Sequence, residues 1–491
     1  ASDVYKRQII NTEILLMNKY KNLAFNTIIL AVGTFGSKIL SFFLTRLYTT
    51  YMPSETLGTK ELIETTANFL IPVFTFAISE AVIRFGLDRE YDNRQVFSTA
   101  IMIQVMGLLI MGLLSPFLSL IPFVKGFTPL LAIYVIVSSF RQTCSLFVRS
   151  IGYVKLYAFD GILATVTIFI FNIIFISGLK MGLKGFFLAV IASDLCSTVF
   201  LWCMANLRKY FSIRFADRDV MHTMLRFSIP MIPTSVMWII TGFSDRLFIK
   251  YLDGPAGTTG DSAAGIYTAA SKIPNLVSMV STIFFQAWNM SAISEYGSKG
   301  IGRFYEKVYS AYQSIMYITA ASLILLVKPL SSMLLNDSVH PEYAQAVQYT
   351  PVLILSVLMS CFNLFLSSIY TAAQHTKNSF WTSFVSTVLN LILNIILIPK
   401  FGVHGAVATT FISYVVCYLI RIVDARRYIY FRVNHFTTFI NISVLLGMSL
   451  LTIKKPDYYI ICLILLTVFV VCTNFSAVTS TLRKVLSRGK G

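Results

Sequence analysis

The sequence predicts an all-α polytopic membrane protein, and two observations carry that reading. Hydrophobic residues make up 56% of the 491-residue chain and charged residues only 13%, where a water-soluble domain carries about 25% charge. Apolar runs of about twenty residues recur along the chain, the length that crosses a bilayer core about 30 Å thick. A water-soluble core cannot absorb this much apolar sequence. Lipid can, and helices satisfy their own backbone groups there.

Taken in order, the runs give about fourteen spans. They fall near 23–47, 57–83, 96–120, 127–148, 156–177, 185–205, 224–250, 263–293, 306–327, 345–372, 378–398, 404–423, 436–453 and 458–480. Residues 1–16, which open with ASDVYKRQ, read as a non-native or disordered leader, with the native start expected near Met17. The spans near 57–83 and 263–293 are the least apolar and are expected to face an aqueous interior.

Lys and Arg concentrate in alternate loops. One set holds Lys19 and Lys21, Arg84 to Arg94, Arg149 and Lys155, Arg208 to Arg226, Lys299 to Lys307, Lys377, Arg421 to Arg432, and Arg483 to Lys490. The other holds only Lys125, Lys180, Lys184, Lys250, Lys328, Lys400, Lys454 and Lys455. Basic loops stay in the cytoplasm, so both termini are expected there, which requires an even number of spans. Topology therefore accounts for the net charge of +18 without nucleic acid. The seven Cys all sit in apolar runs without CxxC spacing and read as small buried hydrophobes rather than disulfides or metal ligands.

An internal repeat is visible. Asn172-Ile-Ile-Phe-Ile, Gly185 and Ser193 recur as Asn394-Ile-Ile-Leu-Ile, Gly405 and Ser413, and Lys155 and Lys377 precede them at matching distances. A looser match pairs Phe43-Leu-Thr-Arg46-Leu-Tyr48 with Phe243-Ser-Asp-Arg246-Leu-Phe248, followed by Gly58 and Gly265, then Asn68 and Asn275. Spans one to six thus pair with seven to twelve. The expected architecture is two pseudo-symmetric six-helix lobes around a central cavity, plus two extra C-terminal helices. The boundaries are 17–212 for the N-lobe, 213–432 for the C-lobe, and 433–491 for the last two spans and a basic tail. Two like-oriented bundles with a cleft between them suit alternating access.

Charge inside a span costs about 2.5–3.5 kcal/mol on insertion scales, so such residues face protein or water. Lys38, Arg46, Lys60, Asp245, Arg246 and Lys272 are the candidates for substrate contact, and Glu64, Glu80, Asp160 and Asp194 for coupling an ion, Na+ or H+. Lys38 and Lys272 sit deepest and have no local partner in sequence. Several have a second reading. Arg46, Lys60, Glu61 and Arg246 also suit interfacial snorkelling, Glu80 and Arg141 helix-end pairing, and Asp160 and Asp194 structural interhelical hydrogen bonds. Pro72, Pro230, Pro233 and Pro274 interrupt the cleft-lining spans, as hinges or as static kinks.

Four stretches resemble the polysaccharide or O-antigen flippases, the Wzx-like branch of the multidrug/oligosaccharidyl-lipid/polysaccharide (MOP) exporter superfamily. They are Pro72 to Phe85; Asp245-Arg246 with Gly265-Ile-Tyr267 and Lys272-Ile-Pro274; Gln374-His-Thr-Lys377; and Asn390 to Ala406. The resemblance implies translocation of an undecaprenyl-diphosphate-linked oligosaccharide repeat unit across the bacterial cytoplasmic membrane, for surface polysaccharide biosynthesis. It implies a cation-rich cavity, with Lys38 at the position of one diphosphate-holding cation of the related lipid II flippases. Lys272-Ile-Pro-Asn275 matches a pattern of those proteins in type but not in span, and Lys38 stands where they carry Arg. Membrane lipids, a polysaccharide polymerase and glycosyltransferases are the implied partners. No GxxxxGK[ST] motif is present, and no cofactor is expected. Two alternatives stay open: a MATE-like cation-coupled drug antiporter, and a membrane polysaccharide polymerase or ligase. The short, sparsely charged external loops disfavour the enzyme, and His340 and His404 read as surface residues.

Overall fold

The computed structural model describes residue 40 and residues 43–488, apart from 89, 295–299 and 374. The described residues form helices and connecting turns, with no strand among them. The first expected span lies almost wholly outside them and is seen only as a helix over 43–51 (α1). The next helices are α2 (Ser54–Phe74), α3 (Ile78–Gly86), α4 (Asn93–Leu118), α5 (Thr128–Ser150), α6 (Val154–Asn172), α7 (Gly182–Met204) and α8 (Arg218–Ser228). Then come α9 (Ile232–Tyr251), α10 (Asp261–Ala270), α11 (Asn275–Ser294), α12 (Ile301–Leu325), α13 (Val327–Leu334) and α14 (Ala346–Ala372). The chain closes with α15 (Thr376–Phe401), α16 (Val403–Asp424), α17 (His435–Lys454) and α18 (Tyr459–Arg488). Among the described residues, nine helices are each long and apolar enough to cross a membrane, and the bent pair α2–α3 makes a tenth.

Three expected single spans are interrupted, each beside a proline. The 57–83 span bends by 58° between α2 and α3, just past Pro72. The 224–250 span divides at a 3₁₀ turn, Ile229–Met231, that contains Pro230. The 263–293 span divides between α10 and α11, beside Pro274. Proline removes a helical donor and its ring presses on the preceding turn, so the helix yields there. The helix α8 starts where Asp217 caps the amides of Asp219 and Val220.

Helices α3 to α8 pack on one another, as do α9 to α16; α17 and α18 lie against α12 and α14. The two groups meet where α2 packs on α9 and α10. The α2–α10 crossing is glycine on glycine. A Cβ on Gly58 would sit 2.8 Å from the Gly265 amide nitrogen, and one on Gly265 would sit 1.7 Å from the Ser54 carbonyl oxygen. The backbones therefore touch without side chains between them.

The same seam is closed by hydrogen bonds at the end away from the basic loops. Arg46 donates to the carbonyls of Ser332 (3.1 Å) and Leu335 (2.7 Å), and Thr49 to that of Leu334 (3.1 Å). Tyr343 donates to the Met52 carbonyl (2.8 Å), the Ser54 amide reaches Glu342 (3.2 Å), and the Ser54 and Ser262 hydroxyls are 2.7 Å apart. The first and second halves of the chain are thus locked together on that side.

Candidate functional site

Below the glycine crossing, one face of α2 meets the cations of the second half. Glu61 is the hub. Its carboxylate lies 3.1 Å from Lys272 Nζ, 3.7 Å from an Arg246 Nη and 3.7 Å from Lys60 Nζ. Lys60 also pairs with Glu64, one turn on, at 2.5 Å. Each element has a reason to deliver its charge. Lys272 sits in the break before Pro274, where the chain leaves α10. Arg246 is anchored on α9 by donating to its own Gly242 carbonyl (2.8 Å) and to Thr268 (3.2 Å). Lys60 is 4% exposed and lies between two aromatic faces, 4.8 Å from the Tyr48 ring centre and 4.5 Å from that of Phe186. A desolvated ammonium gains from both the acids and the rings.

Glu61, Arg246 and Lys272 keep partly open side chains, 16%, 15% and 21% exposed. The cluster can therefore receive a ligand. Three cations face two carboxylates, so it carries a net positive charge and suits an anion.

Asp245 neighbours Arg246 in sequence but belongs to a different site. Its carboxylate is buried and accepts from Asn394 (2.6 Å), Asn390 (3.2 Å), Thr410 (2.6 Å) and Tyr267 (2.9 Å). No cation lies within 4 Å of it among the described residues. Asn394 also presents a buried amide oxygen with no partner there. A buried carboxylate beside hydroxyls and an unpartnered amide oxygen suits a small monovalent cation. Among the described residues no three His, Cys, Asp or Glu side chains gather to hold a metal ion.

Asp160 and Asp194 meet within the first half. Arg141 lies 3.5 Å from Asp160 and 3.4 Å from Asp194, and donates to Ser197 at 2.9 Å. Ser138 donates to Asp194, and Ser145 and Ser197 to Asp160. These acids are satisfied, interhelical and remote from Glu61 in the bonding network.

Of the residues expected at the site, Lys60, Glu64, Arg246 and Lys272 come together. Arg46 does not join them, its guanidinium being engaged by backbone carbonyls of the seam. Asp245 turns into the second half. Glu80 stands at the α2–α3 break. Lys38 lies outside the described residues. Lys272, which has no partner near it in sequence, finds one in Glu61, 211 positions away. The hub Glu61 was legible only as one of several interfacial charges, and the Asn390, Asn394, Thr410 and Tyr267 shell of Asp245 was not legible as a set.

The helical arrangement is that of MATE-type transporters of the MOP superfamily. An inward-facing multidrug resistance MATE family transporter of that superfamily matches at TM-score 0.67 and 13% identity, over 81% of this chain and 98% of its own. An outward-facing one matches at TM-score 0.57 and 15% identity, over 86% and 96%. A family model described as MatE matches residues 230–396. The model described as polysaccharide biosynthesis protein matches residues 23–289, more than half of the chain, and this protein belongs to that family. An uncharacterized membrane protein of Methanocaldococcus jannaschii is 26% identical over 197 residues, 38% of this chain and only 37% of that relative's length. The chain is a multi-pass membrane protein with the MATE-type fold.

Proposed function

We propose that this protein is a flippase that carries an undecaprenyl-diphosphate-linked oligosaccharide across the bacterial cytoplasmic membrane by alternating access, for surface polysaccharide biosynthesis. The carrying observation is the convergence of Lys60 from the first half and Arg246 and Lys272 from the second on one carboxylate, Glu61. A diphosphate offers the same cations more negative charge than Glu61 does. Its arrival exchanges an internal anion for an external one and loosens a contact between the halves. Membership in the polysaccharide biosynthesis family supports this reading. The alternating distribution of basic loops supports cytoplasmic termini. Asp245, with the unpartnered Asn394 amide oxygen beside it, is the residue suited to a coupling Na+.

Complementation of a flippase-deficient strain tests the reading. Lys38→Ala and Lys272→Ala each abolish complementation while the protein still inserts; full activity in both overturns it. Glu61→Gln removes the internal competitor and tightens binding of undecaprenyl diphosphate about tenfold, which corresponds to about 1.4 kcal/mol.

The MatE match and the MATE-type fold favour a second reading, a drug/cation antiporter. Such a transporter would need net acid at the cluster, where this chain has net base. Efflux of an organic cation from a transporter-deficient host separates the two.

A further inference from the structure

The α2–α3 break is costly, and Pro72 alone does not account for its form. Ala77 donates back to the Pro72 carbonyl (2.8 Å) and Phe76 to that of Val73 (3.4 Å). This is the ending in which glycine normally takes the left-handed position. Here Phe76 (φ 55°) and Ala77 (φ 48°) both adopt left-handed backbone, at about 1–2 kcal/mol each. The break is held in place from outside: the Phe74 carbonyl presses onto Gly107 of α4, where a Cβ would lie 1.7 Å from its oxygen. Strain that the surrounding fold maintains points to a use.

The break opens a hollow of about 200 Å³ lined by Asn68, Ile71, Pro72, Ser79, Glu80 and Gln142, with Ala77 at its edge. Asn68, Glu80 and Gln142 are exposed there, and their side chains make no hydrogen bond or ion pair with any described residue. Three polar side chains with unspent hydrogen-bonding capacity thus converge at one open break within the bundle, where a polar ligand can take the place of water.

The hollow is in line with the ionic cluster. At about 100° per residue, positions 61, 64, 68, 71, 72 and 75 form one stripe of α2. Asn68 lies about 10 Å along that stripe from Glu61, toward the basic-loop end. The cluster suits phosphate. The hollow carries no cation and suits neutral hydroxyl and amide groups: Asn68 and Gln142 both donate and accept, Glu80 accepts, and Ile71 and Pro72 offer an apolar wall to the C–H face of a sugar ring.

We infer that the hollow at the α2–α3 break is a sugar-binding subsite, holding the first sugar of the lipid-linked substrate while the cluster around Glu61 holds its diphosphate. This rests on the proposed flippase function and adds where selectivity for the glycan arises.

The test uses the full-length protein in lipid nanodiscs. Binding is measured for undecaprenyl diphosphate and for undecaprenyl-diphosphate-linked N-acetylglucosamine, N-acetylgalactosamine and glucose. The best-bound sugar probe is expected to bind at least tenfold more tightly than the sugarless one. In the Asn68→Ala/Gln142→Ala variant that ratio falls to about one, and Glu80→Gln lowers it about threefold, since an amide still accepts a hydrogen bond. If the sugarless probe binds but no sugar improves on it, or if the ratio survives the double substitution, the subsite is refuted and the flippase reading stands. If none of the four probes binds, the flippase reading falls and takes the subsite with it.

Discussion

The two halves of the chain each tie three helices together with a polar knot, and the knots solve the same problem with different charges. In the first half Arg141 on α5 binds Asp160 on α6 and Asp194 on α7. In the register that pairs Asn172 with Asn394, Asp160 falls on Thr382; in the one that pairs Gly185 with Gly405, Leu201 falls on Arg421. The second half has its arginine there. Arg421, 1% exposed, donates to Thr382 (2.9 Å), Ser383 (2.7 Å) and the carbonyls of Asn363 (2.7 Å) and Ser379 (3.1 Å), with no carboxylate within 4 Å among the described residues. Both halves have a polar tie among three helices, and they differ in which helix supplies the cation. The partly open knot, with Arg141 28% exposed, carries two acids; the closed one relies on neutral acceptors.

Substitutions can break this comparison. Arg141→Met leaves two adjacent carboxylates without their cation and is expected to cost about 3–5 kcal/mol, read as a fall in Tm of the detergent-purified protein. Arg421→Met leaves only neutral acceptors, so the expected loss is smaller, about 1–3 kcal/mol. Equal losses would mean that the acids of the first knot contribute nothing special. Thr382→Val removes a single acceptor from Arg421 and is expected to cost about 1 kcal/mol; a cost above that of Arg421→Met would place the second knot's stability in Thr382 rather than in the guanidinium.

Composition and run length made the fold legible, because apolar length against bilayer thickness is a local property. The interruptions were legible in part, since Pro72, Pro230 and Pro274 mark three of them. The left-handed pair Phe76–Ala77 was not, because neither residue is Gly or Asn and the cause, Gly107, lies on another helix. The ionic cluster was half legible. Lys60, Glu64, Arg246 and Lys272 stood out as charges within spans, but their common partner Glu61 gains its role from chain folding across 211 positions. Asp245 was misleading in sequence because its neighbour Arg246 points to the cluster. Adjacent residues on a helix diverge by about 100°, so one faced Glu61 and the other the interior of the half.

The contact between Gly58 and Gly265 has a consequence for how the protein can vary. With backbone against backbone, neither position has slack: even one methyl group acts as a wedge between the halves. Such a wedge leaves every ion pair chemically intact, yet it parts the backbones at this crossing. Alanine at either place is therefore a mechanical lesion, one that shifts how the halves meet without altering their chemistry.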